Sequence, residues 1–438
     1  MVKKGIFWIL VIGMAALLCG CNIRTIDELY CPPNRSEDYM NLQTAMNAAM
    51  TDLEYHAPIS GENQQNVQMT DLNGDGVMEY LLFARGNGEK PLKILIFTCV
   101  DDEFILVDTI ESYGTAFEQV QYVKMSEREG YDLVVGYQVS NQVVRTVSVY
   151  TFSNSHMEKV LTTGYSRFVC QDLDNNGLSE LLILRPAEDV TQAGIAELYR
   201  MSDGVIERFP EVSMSEPVDH IKRIMVSRLN DGLSAVYVAS EVDGSAVITD
   251  IFAVPGGKFA NISLSNDAGT SVQTLRNYFV YADDIDNDGI LELPSLIPVA
   301  NSSNSSQDIQ YLIRWYAVSS TGAMTDKMFT YHNFVGGWYL ELDGKLAPKM
   351  YVTQLGNSYE FYVLPESEEP VKLMTVYGFT GQQREEQAVS DNRFVLYRTD
   401  STVYAAHLEV ASATHGMSKE SLKNSFHLIV QDWNTGET

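Results

Sequence analysis

One acidic pattern occurs three times along this chain and constrains its fold more than any other feature. Each copy has Asp at position one, Asp or Asn at positions three and five, Gly at position six and Glu at position nine. The position-six glycines are Gly76, Gly177 and Gly289, which are 101 and 112 residues apart. Both separations are close to two periods of about 55 residues, a length typical of repeat architectures.

Weaker copies of the pattern fall near the midpoints and continue the period toward the C-terminus. They lie at 129–135, 230–238, 342–344 and 398–406. A second landmark, an aromatic residue that ends a strand-like run before a polar turn, recurs at a similar spacing. These residues are Phe97, Tyr150, Tyr199, Phe252, Tyr316 and Tyr362, with a weaker copy near His407. Around the turns the sequence alternates with the two-residue period of half-buried strands.

Together these landmarks predict an all-β fold, a β-propeller with seven four-stranded blades over residues 61–438. Each unit would contain one strand entering the acidic loop, one strand leaving it, and a hairpin. A unit of this size cannot bury its apolar face alone, so radial packing of neighbours suits the pattern. A β-solenoid and two separate sandwiches are the alternatives. The period is long for one solenoid coil and too regular for sandwiches.

The acidic loops have the composition of calcium sites. Side-chain oxygens at positions one, three, five and nine, with the carbonyl at position seven, converge when glycine at position six permits a sharp turn, and calcium prefers such hard oxygen ligands. A turn without an ion is the simpler interpretation of any single copy, but three copies in register favour up to three structural calcium ions. The ligands would be Asp71, Asn73, Asp75, Val77 and Glu79; Asp172, Asp174, Asn176, Leu178 and Glu180; and Asp284, Asp286, Asp288, Ile290 and Glu292.

These loops resemble the calcium loops of FG-GAP/VCBS-type propeller repeats, including those of integrin α-subunits. The resemblance implies a calcium-binding propeller over most of residues 67–410, strongly at three loops and faintly at four. In the faint copies the ligands are replaced. Arg228 stands in place of the first acid, and Leu340 and Leu342 occupy carboxylate positions. We expect those units to fold without metal.

The first twenty residues have the features of a secretory signal, two lysines followed by an uncharged apolar run at 5–18. Residues 18–21 resemble the lipobox of bacterial lipoproteins, which implies cleavage after Gly20 and a diacylglycerol on Cys21. An ordinary signal peptide or an uncleaved anchor is the alternative. Because no other segment is long and apolar enough to span a bilayer, we expect an extracytoplasmic protein, lipid-anchored to the bacterial cell membrane.

Two further segments precede the repeats. Residues 21–35 are polar and predict a tether. Residues 36–60 predict a short N-terminal amphipathic helix and its connection, with Ser36 as the cap. Apolar residues at helical spacing are Leu42, Ala45, Met46, Ala49 and Leu53.

Charge and cysteine content limit the partners. The net charge is −28, and it becomes −30 once the two lysines of the signal peptide are removed. Such a surface repels nucleic acid and anionic headgroups. After lipidation of Cys21 only Cys31, Cys99 and Cys170 remain, which are too few and too scattered for a disulfide framework.

No catalytic motif occurs in the sequence, and its seven histidines are isolated from one another. We therefore expect a non-enzymatic binding or scaffold module that holds a cell-envelope protein or polysaccharide. Two alternatives remain open, a glycan-binding (lectin-like) propeller and a cell-envelope polysaccharide hydrolase or lyase with a site assembled from loops. Trp315 and Trp338 could line a sugar-stacking groove, although their strand positions favour the core.

Overall fold

A computed structural model describes residues 37–139, 145–153, 156–189, 192–298, 311–364 and 369–429. The predicted signal peptide, Cys21 and the predicted tether at 21–35 lie outside the described residues. Among the helices in the described ranges, none is long and apolar enough to cross a membrane.

Antiparallel strands make up most of the described chain, and the prediction of an all-β fold is confirmed. Three α-helices accompany the strands: α1 (Glu37–Ala49), α2 (Arg384–Val389) and α3 (Lys419–Asn424). Short 3-10 helices lie in connections at Val218–His220, Pro255–Gly257, Val272–Thr274, Ala347–Lys349 and Val410–His415.

The first three sheets follow one another along the chain. Sheet 1 contains β1 (Glu54–Tyr55), β2 (Val67–Thr70), β3 (Glu79–Arg85), β4 (Leu92–Val100) and β5 (Glu103–Ser112). Sheet 2 contains β6 (Ala116–Val123), β7 (Asp132–Gln138), β8 (Arg145–Ser153) and β9 (His156–Tyr165). Sheet 3 contains β10 (Arg167–Gln171), β11 (Glu180–Arg185), β12 (Ile195–Ser202), β13 (Val205–Arg208) and β14 (Val212–Ser213).

The remaining sheets continue the same order, with one exception at the C-terminus. Sheet 4 contains β15 (Ile221–Arg228), β16 (Ser234–Val242), β17 (Ala246–Ala253) and β18 (Ala260–Asn261). Sheet 5 contains β19 (Leu293–Pro298), β20 (Tyr311–Val318), β21 (Met324–Asn333) and β22 (Trp338–Leu342). Sheet 6 contains β23 (Met350–Leu355), β24 (Ser358–Val363), β25 (Val371–Thr380), β26 (Phe394–Arg398) and β27 (Thr402–Leu408). The exception is β28 (Phe426–Leu428), which returns to pair with β22 at the edge of sheet 5.

Each sheet packs face to face against the next one. On β7, Val135 lies in the hydrophobic cluster shared with sheet 1, whereas its neighbour Val134 lies in the cluster shared with sheet 3. On β11, Leu181 faces sheet 2 and Leu182 faces sheet 4. Successive strand residues point to opposite faces, so a central strand that is buried on both sides has a continuous apolar sequence.

Helices cover the outer faces of the first and last sheets. Leu42 and Met46 of α1 pack against apolar side chains of β3 and β4. Ala388 of α2 packs against Phe379 of β25 and Val403 of β27. Within the described residues, no hydrophobic cluster joins sheet 1 to sheet 6.

The described strands form six sheets, whereas the repeat predicted seven units. Around 398–406, the weakest predicted unit, the acidic pattern is lost and the chain forms a hairpin that adds β26 and β27 to sheet 6. The copy at 342–344 connects sheet 5 to sheet 6 and does not lie between two strands of one sheet. Both tryptophans considered for a sugar groove are core residues, with Trp315 0% and Trp338 1% exposed.

Candidate metal centres

The three acidic loops lie on alternate sheets. They are named here by their sheet: loop 1 (71–79), loop 3 (172–180) and loop 5 (284–292). Loop 1 connects β2 to β3 and loop 3 connects β10 to β11. Loop 5 leads into β19, and the backbones of Asp283 and Glu292 exchange hydrogen bonds of 3.1 and 2.8 Å at its base. In all three, the loop starts and ends between antiparallel segments.

The side chain of the position-one aspartate closes each loop by accepting hydrogen bonds from backbone N–H groups. In loop 3, the two carboxylate oxygens of Asp172 accept hydrogen bonds from Asn176 N at 3.1 Å and Gly177 N at 2.8 Å. Asp284 accepts the equivalent bonds from positions five and six of loop 5. Asp71 accepts from positions four and six of loop 1, Gly74 N and Gly76 N. The position-six glycines have φ of +84°, +90° and +83°, a backbone region that glycine enters without steric cost.

Positions five and seven also adopt the same arrangement in the three loops. The position-five side chain accepts a hydrogen bond from the position-seven N–H, at 2.7, 2.7 and 2.9 Å. The donors are Val77, Leu178 and Ile290. The residues expected to supply carbonyl ligands are therefore held next to the position-five side chains.

The position-nine glutamate is buried in every loop. Glu79, Glu180 and Glu292 are 2%, 1% and 0% exposed. One carboxylate oxygen accepts a hydrogen bond from the position-two N–H, at 2.7, 2.8 and 3.1 Å respectively. The position-two residues are themselves buried apolar side chains. The glutamate thus fixes the base of the loop and cannot turn toward solvent.

Loops 3 and 5 bring several carboxylates together around this glutamate. Oxygen atoms of Asp172, Asp174 and Glu180 lie within 4.8 Å of one another, as do those of the corresponding residues in loop 5, Asp284, Asp286 and Glu292. Within the described part of the chain, Oε1 of Glu180 and Oε1 of Glu292 are buried without a hydrogen-bond partner. A buried carboxylate oxygen without a partner is costly, and a bound cation would satisfy it.

The pKa values of these glutamates are raised, as expected for carboxyl groups that are buried near other carboxylates. Burial, together with the charges of Asp174 and Asp172, raises the pKa of Glu180 to about 7. Burial and the charge of Asp286 raise the pKa of Glu292 to about 7 in the same way. Burial also raises the pKa of Glu79. A divalent cation would favour the ionised form of each group.

Loop 1 departs from the other two at position three. Asn73 Nδ2 donates to Asp75 Oδ2 at 2.9 Å and to Glu79 Oε1 at 3.2 Å. Thr98 adds a longer bond of 3.4 Å to the same Glu79 oxygen. The Asn73 amide therefore occupies carboxylate oxygens that a cation would use. Loop 1 has fewer free carboxylate oxygens for calcium than loops 3 and 5.

A lysine from another strand contacts loop 5, and the sequence pattern did not predict it. Lys327 of β21 lies 2.5 Å from Asp288 Oδ2, and this contact holds the pKa of Asp288 below its usual range. The two residues are 39 positions apart, and no spacing in the sequence connects them. Lys327 covers one side of loop 5.

Sheet 2 contains the same loop with an internal cation. In loop 2 (124–132), Met125 N donates to Asp132 Oδ2 at 3.1 Å, as the position-two N–H does in the acidic loops. Asp132 therefore occupies position nine, and it is 0% exposed. Arg128, at position five, donates from Nη2 to Asp132 Oδ1 at 3.1 Å. A guanidinium therefore neutralises the buried position-nine acid of loop 2.

The corresponding loop of sheet 4 lacks the buried acid. In loop 4 (228–234), Leu229 N donates to Leu233 O at 2.7 Å, which closes a shorter turn. Position nine corresponds to Val236, a core residue. That this loop folds without metal stays a prediction.

Loop 2 contacts the acidic loops on both of its sides. Tyr131 N donates to Asp71 O of loop 1 at 3.0 Å, and Arg128 Nη1 donates to Leu72 O at 2.8 Å. On the other side, Ser179 N of loop 3 donates to Lys124 O at 2.6 Å. The loops at this edge therefore fasten neighbouring sheets to each other.

Loop 4 makes the corresponding contacts with loops 3 and 5. Asn175 Nδ2 of loop 3 donates to Gly232 O at 3.0 Å, and Ser234 Oγ donates to Asn175 Oδ1 at 2.9 Å. On the side of loop 5, Arg228 forms an isolated β-bridge with Ile290, and Leu291 N donates to Oγ of Ser227, the residue before loop 4, at 3.2 Å. Five loops thus form a continuous row across sheets 1 to 5.

A methyl group at Gly130 is expected to break the contact between loops 1 and 2. Its Cβ would lie 2.2 Å from Leu72 O, a backbone atom that cannot move without shifting loop 1. We expect Gly130→Ala to lower the free energy of unfolding by about 3 kcal/mol, as overpacking does in tight sites. Gly164→Ala is the matched control, because its Cβ would meet only Arg145 O at 3.8 Å. Chemical denaturation of both variants measures the difference, and equal stabilities would contradict the contact.

No family model and no curated protein matches the sequence. Solved structures with a similar backbone include a protein from Lactobacillus plantarum, with 11% identity, a TM-score of 0.30, and coverage of 72% of this chain and 85% of that chain. A rhamnogalacturonan lyase from Bacillus licheniformis has 10% identity, a TM-score of 0.31, and coverage of 73% and 71%. At these values the similarity carries no argument about activity.

Proposed function

We propose that this chain is a non-enzymatic binding or scaffold module whose six sheets are blades of a propeller-type array, fastened along one edge by calcium. One comparison carries the proposal. The buried position-nine acid of loop 2 faces an internal cation, Arg128, and that of loop 1 accepts a hydrogen bond from the Asn73 amide. The buried acids of loops 3 and 5 instead lie in clusters of carboxylates. Calcium is the ion that such oxygen ligands favour.

The calcium would be structural. The acidic loops connect strands within a sheet and contact the loops of neighbouring sheets, so an ion in loop 3 or loop 5 would hold two sheets together. Extracellular sites of this type bind calcium at roughly 10⁻⁴–10⁻³ M. They would be filled outside a cell, which suits the lipid-anchored, extracytoplasmic location that the first 21 residues predict.

A rigid, acidic array held near the membrane is suited to retaining a partner from the cell envelope, either a protein or a polysaccharide. The sequence lacks a recognisable catalytic motif, and the carboxylate clusters described above are explained by metal binding. Hydrolase or lyase activity is therefore the less favoured alternative.

The binding function is tested by affinity capture from a cell-envelope extract with the full chain as bait. We expect an envelope protein or polysaccharide to be enriched at 2 mM calcium and lost on chelation. Glu180→Gln with Glu292→Gln should lose it also, while Glu62→Gln, an exposed site outside the loops, should retain it. Depolymerisation of an envelope polysaccharide by the purified chain would contradict the non-enzymatic assignment.

The anchor has a separate test. Cys21→Ser should abolish incorporation of labelled fatty acid and move the protein from the membrane fraction to the soluble fraction. An unchanged distribution would contradict lipidation at this residue.

A further inference from the structure

We propose that the calcium ion of loop 3 is also a ligand-binding ion, and that the cleft beside it takes a neutral oligosaccharide. This inference rests on the proposed calcium site in loop 3. The ion of loop 3 would then have two roles, to stabilise the loop and to bind a ligand.

The cleft lies between sheets 2 and 3 and has a volume of about 660 Å³. That is within the size range of small-molecule sites, roughly 300–1,000 Å³. Its walls come from loops 2 and 3, from strands β8 and β9, and from the β12–β13 hairpin. The cleft is therefore built by elements of two adjacent sheets.

Two of the five expected calcium ligands of loop 3, Asn176 and Leu178, line this cleft. Calcium takes six to eight oxygen ligands, so the five ligands expected from loop 3 leave about one to three positions for other oxygens. The buried, unpartnered Oε1 of Glu180 marks the protein side of the ion. The open positions would face the cleft.

Loop 3 also differs from loop 5 in charge at position five. Loop 5 has Asp288 there, and Lys327 covers that carboxylate at 2.5 Å. Loop 3 has the neutral amide of Asn176, which is exposed. Loop 3 therefore offers an ion one carboxylate fewer than loop 5, and among the described residues no lysine contacts its position-five side chain. The basic side chains on the cleft wall are Arg128 and Arg200.

The remaining polar groups of the cleft indicate the class of ligand. Glu127, Glu158 and Asp203 are exposed, and none forms an ion pair among the described residues. Three unpaired carboxylates repel an anionic ligand and accept hydrogen bonds from hydroxyl groups. Arg200, whose charge also acts on Glu180, contributes donors on the same wall. A neutral sugar supplies hydroxyl oxygens for calcium and hydroxyl protons for the carboxylates.

The test is calorimetric titration of the full chain with maltotriose, cellotriose and mannotriose, each at 2 mM calcium and again with a chelator. We expect at least one to bind in a calcium-dependent manner, and trigalacturonate to bind less well. Glu158→Gln with Asp203→Asn should weaken that sugar at least tenfold and leave calcium binding unchanged. Glu180→Gln should abolish it, whereas Glu292→Gln, which removes the loop 5 ion, should not affect it.

The outcomes separate this inference from the calcium proposal. If Glu180→Gln leaves the number of bound calcium ions unchanged, the calcium site itself is wrong. If that number falls by one but no neutral trisaccharide binds in a calcium-dependent manner, the sugar site is wrong and the structural ion stands. Preferential binding of trigalacturonate would overturn the assignment to a neutral ligand.

Discussion

Replacement of Arg128 by alanine is expected to lower the free energy of unfolding by about 3 kcal/mol, with or without calcium. Asp132 is 0% exposed, and Arg128 is the cation that contacts it. Removing the guanidinium leaves a buried carboxylate without a counter-charge, and it also removes the hydrogen bond to Leu72 O of loop 1. Sheets 1 and 2 should lose part of their attachment in the same variant.

Two further variants distinguish the effect of breaking the buried Arg128–Asp132 pair from the effect of losing any arginine charge. Arg398→Ala removes an ion pair with Glu385 in which both side chains are more than half exposed, and such pairs contribute about 0–1 kcal/mol. Adding Asp132→Asn to Arg128→Ala should restore part of the lost stability, because the uncompensated charge is removed. Denaturant unfolding measures all three. Equal losses for Arg128→Ala and Arg398→Ala would contradict the role of Arg128 as an internal cation.

The second large effect concerns the free energy of unfolding. Its dependence on pH is expected to reverse when calcium is added. In calcium-free protein the pKa of Glu180 and of Glu292 is raised to about 7, above the ordinary value of 4.5. A raised folded-state pKa contributes stability below pH 4.5 that is lost as the pH rises to about 7. We expect chelated protein to lose up to about 3 kcal/mol over this range through each of these two groups.

With calcium bound the sign changes, because the ion binds the ionised carboxylates and competes with protons. Stabilisation by calcium should therefore grow from pH 5 to pH 7.5. Other groups also titrate, so the measured quantity is the difference between the natural chain and Glu180→Gln with Glu292→Gln. A difference that does not change with pH, with or without calcium, would count against ionisable glutamates at the two loops.

The repeat made the overall class predictable. Alternating runs and acidic loops at a fixed period predicted antiparallel sheets, and loops 1 and 3 lie between the predicted strands. The C-terminal part was not predictable in the same way. From 342 onward the pattern loses its carboxylates, and strand pairing there depends on contacts between distant residues such as Trp338 and Phe426.

The convergence of carboxylates in loops 3 and 5 was predictable for a related reason. Position in a nine-residue pattern fixes which side chains converge, because the loop is closed by local hydrogen bonds such as Gly177 N to Asp172. The position of Arg128 could have been found from the sequence. Aligning Met125 with Leu173, the position-two residue of loop 3, places Arg128 at position five. Lys327 had none, because it reaches loop 5 from another strand. The cleft at loop 3 likewise depends on how sheets 2 and 3 pack.

The most direct test of calcium as the fastener of these sheets is the melting temperature of the full chain, with chelator and at 2 mM calcium. For a dissociation constant of about 10⁻⁴ M, each filled loop adds about 2 kcal/mol, so filling loops 3 and 5 should raise the midpoint by about 5 °C. Glu180→Gln with Glu292→Gln should remove most of that rise, while Glu62→Gln should keep all of it. Equal melting temperatures with and without calcium for the natural chain would contradict the account.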